Sequence, residues 1–195
     1  MPHRSDAELE EEREQILAAQ RDRAEFAPLY ERYVDQIHAY VYMLTKDKDQ
    51  ADDVTAATFA KAIEELPRFQ WRGVPYSAWL YRVAANLIAR EKRRPGWIEI
   101  EPHMMPDDQD PVAATEALDR ATAVREAVAQ LPADQRQAVL LRFGGELRNR
   151  EIAEIMQRSE GAVKLLTFRA LTTLRRRLGA PLPSERPGRA GSQAL

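Results

Sequence analysis

Apolar residues recur at helical steps along this chain, and no convincing stretch alternates apolar with polar as a half-buried strand would. From Phe26 they fall at Leu29, Tyr30, Tyr33, Val34, Ile37, Tyr40, Val41 and Leu44, which places them on one face of a helix. A second helix is expected over about residues 49–65, ending before Pro67 because the residue preceding a proline avoids the helical region. The most regular element carries Tyr76, Trp79, Leu80, Val83, Ala84, Leu87 and Ile88 on one face and stops at Pro95-Gly96. Helices are expected again over 118–130, from Pro132 to the Gly144-Gly145 pair, over 149–156, and over 160–178 after a short turn at Gln157-Arg158-Ser159. The pattern specifies an all-α fold.

Residues 95–115 hold four prolines, Gly96 and five acidic residues, the composition of a linker. They divide the chain into two small helical domains. The expected organisation is an acidic N-terminal arm over 1–24, mobile or a frayed helix, then a helical domain over 25–95. A flexible acidic linker over 96–116 leads to a second helical domain over 117–178. The Pro-, Gly-, Ser- and Arg-containing tail over 179–195 is expected to be disordered.

Composition excludes much. The chain has no cysteine, so disulfides, Cys-ligated zinc, iron–sulfur clusters and a thiol nucleophile are ruled out. Three scattered histidines, His3, His38 and His103, argue against a zinc site. No apolar run approaches the roughly 20 residues of a membrane span, and the N-terminus does not read as a secretory signal. A reducing cytoplasm is the expected compartment. No phosphate-cradling glycine loop, Ser/His/Asp order or two-histidine metal motif is present. Asp52-Asp53 reads as helix capping and Asp107-Asp108 as linker solvation. Neither an enzyme, nor a cofactor, nor a metal is expected.

A net charge of −2 conceals segregation. Residues 1–66 hold 8 Lys and Arg against 16 Asp and Glu; residues 67–94 hold 7 against 1. The ratio inverts to 1 against 7 over 95–123 and returns to 11 against 6 over 124–178. Two basic blocks flank an acidic one, the footprint of two anionic contact surfaces or of two solvated helix faces.

The C-terminal block has helix–turn–helix arithmetic. The first helix packs through Ile152, Ala153 and Ile155. On the second, Val163, Leu166, Thr167, Ala170, Leu171 and Leu174 cluster on one side, while Lys164, Leu165, Phe168, Arg169, Thr172 and Arg175 take the other. Such a helix fits the major groove, with its N-terminal half nearest the bases. Lys164 and Arg169 suit bases or phosphates, Leu165 and Phe168 suit thymine methyls, and Arg175 to Arg177 suit phosphates. A helical hairpin with a solvated basic face satisfies the same spacing.

The first basic block differs in kind. Arg82, Asn86, Arg90 and Arg93 share a stripe with Trp79 at its edge, and the preceding loop adds Phe69, Trp71 and Arg72. Interleaved cations and rings suit single-stranded nucleic acid, whose phosphates meet cations and whose bases stack on aromatics. The alternative is a core carrying Trp79 and Tyr81 with solvated arginines outside it. The helix near 51–66 opens acidic, matching its positive end. Phe59 and Ile63 serve the core there, while Asp52, Thr55, Ala56 and Lys61 form either a docking face or a solvated one.

These pieces, in this order over about residues 26–178, resemble an extracytoplasmic-function sigma factor, the small two-domain form of the bacterial sigma-70 family. Ala51-Asp52-Asp53-Val54-Thr55 through Thr58-Phe59 is similar to the family's polymerase-binding helix of region 2. Phe69-Gln70-Trp71-Arg72-Gly73 with Trp79 through Asn86 is similar to its melting and minus-ten-reading segment. Leu131-Pro132 through Arg136, Glu151 through Ile155 and Ser159-Glu160-Gly161-Ala162-Val163-Lys164 are similar to region 4.

The resemblance implies a non-catalytic protein that binds core RNA polymerase and directs promoter-specific initiation. Asp52, Asp53, Thr55, Ala56, Thr58 and Lys61 would meet the clamp helices of the largest subunit. Trp71, Arg72, Trp79, Arg82, Asn86, Arg90 and Arg93 would hold the melted minus-ten strand, Asn86 beside a flipped base. Ser159, Lys164, Leu165, Phe168 and Arg169 would face the minus-thirty-five duplex. The flap region of polymerase and an anti-sigma factor are further implied partners, and a cytoplasmic, nucleoid-associated location follows. The chain departs from the family at Ala56-Ala57, where a Gln-Glu pair is usual, and at Leu165-Leu166, where Ser-Arg is common. The competing reading is a stand-alone helix–turn–helix regulator, which accounts for 124–178 and leaves the 68–94 stripe idle.

Overall fold

A computed structural model describes residues 4–93 and 116–179, the last segment with backbone only over 116–119; the linker and tail expectations fall outside these residues. Among the described residues every regular element is helical. The N-terminal unit comprises α1 (Asp6–Arg21), a short 3-10 turn, α2 (Ala27–Thr45), α3 (Lys48–Glu65), a second 3-10 turn and α4 (Tyr76–Glu91). The C-terminal unit comprises α5 (Glu116–Ala129), α6 (Ala133–Val139) running into a π-helical turn (Leu140–Gly144), α7 (Asn149–Met156) and α8 (Glu160–Arg177).

Helix ends follow local chemistry. Asp47 caps α3, its carboxylate accepting from Gln50 N–H at 3.0 Å, and Ser159 caps α8, its hydroxyl accepting from Ala162 N–H at 3.2 Å. Left-handed Lys46 and Gln157, at φ 58° and 53°, end α2 and α7. α7 begins at Asn149, with Arg148 N–H donating to the Glu151 carboxylate at 2.5 Å.

One expectation needs correction. The acidic arm is not loose: Ser5 and Glu8 form a reciprocal capping box, and Glu12, Ile16 and Ala19 on one face of α1 are buried against the N-terminal unit. The acidic residues occupy the solvent side of this helix, while one of them, Glu12, points inward. The two helical units also pack against each other. Leu29, Tyr33, Ile37, Val41, Leu80 and Tyr81 share one apolar core with Leu141, Leu147, Ile152, Ala153, Ile155 and Val163. A smaller cluster of Ala127, Val128, Leu131, Val139, Ala170 and Leu174 closes the C-terminal unit.

Contacts across the boundary are specific. Gln137 Nε2 of α6 donates to Tyr40 Oη at 3.0 Å, and within the N-terminal unit Tyr40 stands edge to face with Tyr81 at 4.9 Å between ring centroids. Gly145 lies against Tyr81 so closely that a Cβ there would stand 2.7 Å from the ring and 2.9 Å from Leu141 O. Only glycine fits that approach.

Candidate nucleic-acid interface

The loop after α3 and the first turns of α4 build an aromatic wall. Phe69 stands edge-on to Tyr76 and Trp79, at 5.0 and 5.7 Å, while Tyr76 and Trp79 stack at 5.6 Å. Beside it opens a cleft of about 650 Å³, lined by Phe69, Arg72, Pro75, Trp79 and Arg82 on one side and by Arg150, Glu151 and Glu154 of α7 on the other. That volume suits a group of nucleobase size. Trp71 and Trp79 are half-buried; Arg72, Asn86, Arg90 and Arg93 are exposed. Trp79 thus belongs partly to the core and partly to the cleft, Trp71 packs against the core, and the arginines lie outside the core.

The stripe on α4 does not run clear. Arg82 pairs with Glu154 at 2.5 Å. Asn86 and Arg93 line a second cleft of about 320 Å³ whose opposite wall includes Asp134, Gln137, Met156 and Gln157. The C-terminal unit therefore faces the same side of α4 that carries the stripe. Pairing an exposed arginine across 72 residues leaves no periodic signal, so sequence spacing could not have shown it.

α8 divides as its periodicity predicts. Val163, Ala170 and Leu174 are buried, whereas Lys164, Leu165, Phe168, Arg169 and Thr172 are exposed, with Phe168 at 60% and Leu165 at 47%. Large apolar side chains this open are set here among cations on a helix that follows a three-residue turn, a combination whose chemistry fits a major groove. Ser159 is exposed at the head of α8, its hydroxyl engaged in the cap.

The α3 face requires a correction. Asp52, Asp53, Ala56 and Lys61 are exposed, but Thr55 and Thr58 are 6% and 0% exposed. Thr58 Oγ1 donates to Val54 O at 2.7 Å, so it satisfies itself inside the unit and offers a partner nothing. Residues three apart from Thr55 to Thr58 share a face, and that face is the inner one. Of the exposed set, Asp52 accepts from or is bridged by His38 Nε2 at 2.8 Å, and Lys61 pairs with Glu65 at 2.6 Å, which raises the proton affinity of the lysine.

Two residues that spacing overlooked brace this interface: Glu12 and Gln20 of α1. The signal available for the helix was the Ser5-x-x-Glu8 box; the signal for Glu12 was its place on the same face as Ile16 and Ala19.

Comparison with known proteins agrees with the two halves. The family description "Sigma-70 region 2" matches residues 29–98, and "Sigma-70, region 4" matches 121–174. The ECF RNA polymerase sigma factor BldN of Streptomyces coelicolor is 34% identical over 159 residues, covering 78% of this chain and 60% of its own length, so the chain spans under two thirds of that relative. The RNA polymerase sigma-H factor of Pseudomonas aeruginosa is 31% identical over 163 residues, covering 76% of this chain and 83% of its own. Among solved structures, RpoE in complex with the anti-sigma factor NepR from Bartonella quintana aligns with a TM-score of 0.62 at 23% identity, over 79% of this chain and 96% of that one. CnrH in complex with the cytosolic domain of CnrY aligns at 0.60 and 20% identity, over 87% and 97%. These two likenesses concern the fold.

Proposed function

We propose, for a chain that belongs to the extracytoplasmic-function RNA polymerase sigma factors of the sigma-70 family, a division of labour between its two helical units in directing promoter-specific initiation. The N-terminal unit captures the melted minus-ten strand at the α4 cleft. Trp71 and Trp79 offer stacking surfaces, Arg72, Arg82, Arg90 and Arg93 meet phosphates, and the Asn86 amide reads the edge of an unstacked base. The C-terminal unit lays α8 in the minus-thirty-five major groove. There Lys164 and Arg169 supply hydrogen bonds, and Leu165 and Phe168 supply apolar contact. Asp52, Asp53, Ala56 and Lys61 on α3 dock on the clamp helices of core polymerase, with the flap region as a second contact. The protein itself performs no chemistry. A cytoplasmic, nucleoid-associated location and an anti-sigma partner accord with this reading.

The observation that carries it is the coexistence of two chemically different surfaces on one chain: an aromatic–cationic cleft, and a helix with exposed Phe168 among cations. A stand-alone duplex regulator needs only the second.

The two units must separate to act together. Elements whose names set them about 25 base pairs apart lie on the order of 85 Å apart at 3.4 Å per base pair. A compact body of about 150 residues has a radius of gyration of roughly 15 Å. The closed arrangement cannot span that distance, and it also covers part of the α4 stripe. The region over 96–116 then serves as the tether that joins two weak contacts through effective concentration.

In-vitro transcription with sigma-free bacterial core polymerase on a genomic promoter library, followed by start-site sequencing, tests the reading. Defined starts sharing two spaced upstream elements support it. Duplex binding without any core binding would instead favour the stand-alone regulator.

A further inference from the structure

The loop that walls the α4 cleft is held at both ends by α1. At its start, Gln20 Nε2 donates to Leu66 O at 2.9 Å and to Phe69 O at 2.8 Å. At its end, Glu12 Oε2 accepts the Tyr76 N–H at 3.0 Å. Between these two points lie only Gln70 to Pro75, with Trp71 and Arg72 among them. One helix therefore sets both anchor points of the segment that presents the Arg72 cation to the cleft.

The Glu12 contact is costly for the fold to keep. The side chain is 0% exposed, and desolvation holds its carboxyl above the ordinary value. Its second oxygen takes Arg4 Nη1 at 2.8 Å, and Arg4 in turn donates to Tyr33 Oη at 2.5 Å with its guanidinium 5.3 Å from that ring. A buried carboxylate is retained only with such partners. A Ser or Asp at position 75 would cap the N–H of the second or third residue of α4, not that of Tyr76, the first. Pro75 stands there instead, with no side-chain cap bond. The acceptor for the first N–H of α4 thus comes from 64 residues away, and it ties the start of α4 to α1 as a neighbouring cap would not.

We propose that Glu12 and Gln20 are positioning residues for single-strand capture: through them α1 fixes the 70–75 loop and the first turn of α4, so that Phe69, Arg72 and Trp79, the N-terminal unit's own wall of the cleft, meet an unstacked base on a preformed surface. The proposal rests on the reading of that cleft as the minus-ten site. Preorganisation of this kind removes the ordering cost of the loop from the binding step.

The test uses the full chain in holoenzyme. The probe is the non-template minus-ten strand of a promoter mapped by start-site sequencing. Gln20→Ala and Glu12→Ala should each weaken binding of this strand about tenfold. Glu12→Gln keeps a carbonyl for the Tyr76 N–H and should stay within about twofold of the parent. Affinity for core polymerase and for minus-thirty-five duplex should stay within about twofold in all of them. If Glu12→Ala fails to fold, Gln20→Ala and Glu12→Gln still decide the matter. Unchanged strand affinity in folded Gln20→Ala overturns the proposal, and so does an equal loss on strand, duplex and core, which would make α1 a general scaffold. Failure of the underlying reading looks different: Asn86→Ala with Arg90→Ala would then leave strand affinity intact.

Discussion

Arg82 Nη2 lies 2.5 Å from Glu154 Oε2, joining a cation of the proposed minus-ten surface on α4 to a carboxylate of the first helix of the helix–turn–helix. Both side chains remain about half exposed, at 41% and 57%. Such a pair contributes on the order of 0–1 kcal/mol and is screened by salt. The shared apolar core that includes Tyr81 and Ile155 holds the units together, and the half-exposed ion pair adds little to it.

Glu154→Ala should therefore raise the affinity of the isolated protein for single-stranded minus-ten DNA by up to about fivefold at low salt, the equivalent of about 1 kcal/mol. The gain should shrink as ionic strength rises through a few tenths molar. Fluorescence anisotropy across a salt series checks this. A gain that persists undiminished at high salt would point to something other than release of Arg82.

Gly145→Ala places a methyl group 2.7 Å from the Tyr81 ring and 2.9 Å from a backbone oxygen that cannot swing away. The expected destabilisation is about 1–3 kcal/mol, concentrated at the boundary between the units. Denaturant melts should show it, and small-angle scattering should show a larger radius of gyration. An unchanged radius with full stability would contradict the packing described.

Glu12 carries a pH signature. Burial raises its carboxyl above the ordinary 4.5, against the lowering influence of the Tyr76 N–H and Arg4. The folded chain therefore keeps this proton to higher pH than the unfolded chain. The associated stability is complete below about 4.5 and is lost as pH rises through the folded value. Melting temperatures of the wild type minus those of Glu12→Gln should become more positive as pH falls from 7.5 toward 4.5. A level difference would mean that the hydrogen bonds, rather than burial, dominate.

Phe168→Ala and Lys164→Ala remove side chains that stand in solvent. Each should change folding stability by less than about 0.5 kcal/mol while weakening minus-thirty-five duplex binding. Phe168→Ala should act selectively on the cognate sequence. Lys164→Ala, where it meets phosphate, should lower the salt slope by about 1 on any duplex. Electrophoretic titrations on cognate and random duplex separate the two.

On α3 the buried and exposed positions should part in the same way. Asp53→Lys should weaken core-polymerase binding without a change in melting temperature. Thr58→Ala should lower the melting temperature and leave core affinity per folded molecule unchanged. Reversed outcomes would place the docking face elsewhere.

Helix positions, the three-residue turn before α8 and the polar side of α8 were legible in the amino-acid order, whereas the cap of α3 is Asp47 and not the Asp52-Asp53 pair, which lies inside the helix. Each is a relation between residues no more than a turn or two apart, where propensity, capping and the 3.6-residue period act directly. The chemical contrast between an aromatic–cationic loop and a groove-reading helix was legible for the same reason. The rest was decided in three dimensions. Whether Thr55 and Thr58 face a partner or the core depends on which side of α3 its neighbours cover. That Glu12 is buried, that Gln20 reaches Leu66 and Phe69, and that Arg82 meets Glu154 are relations across 46 to 72 residues. No local pattern encodes them, because a buried carboxylate or a paired arginine reads along the chain like any solvated one. They exist only once the helices pack and desolvation makes each unpaired polar group costly enough to select its partner.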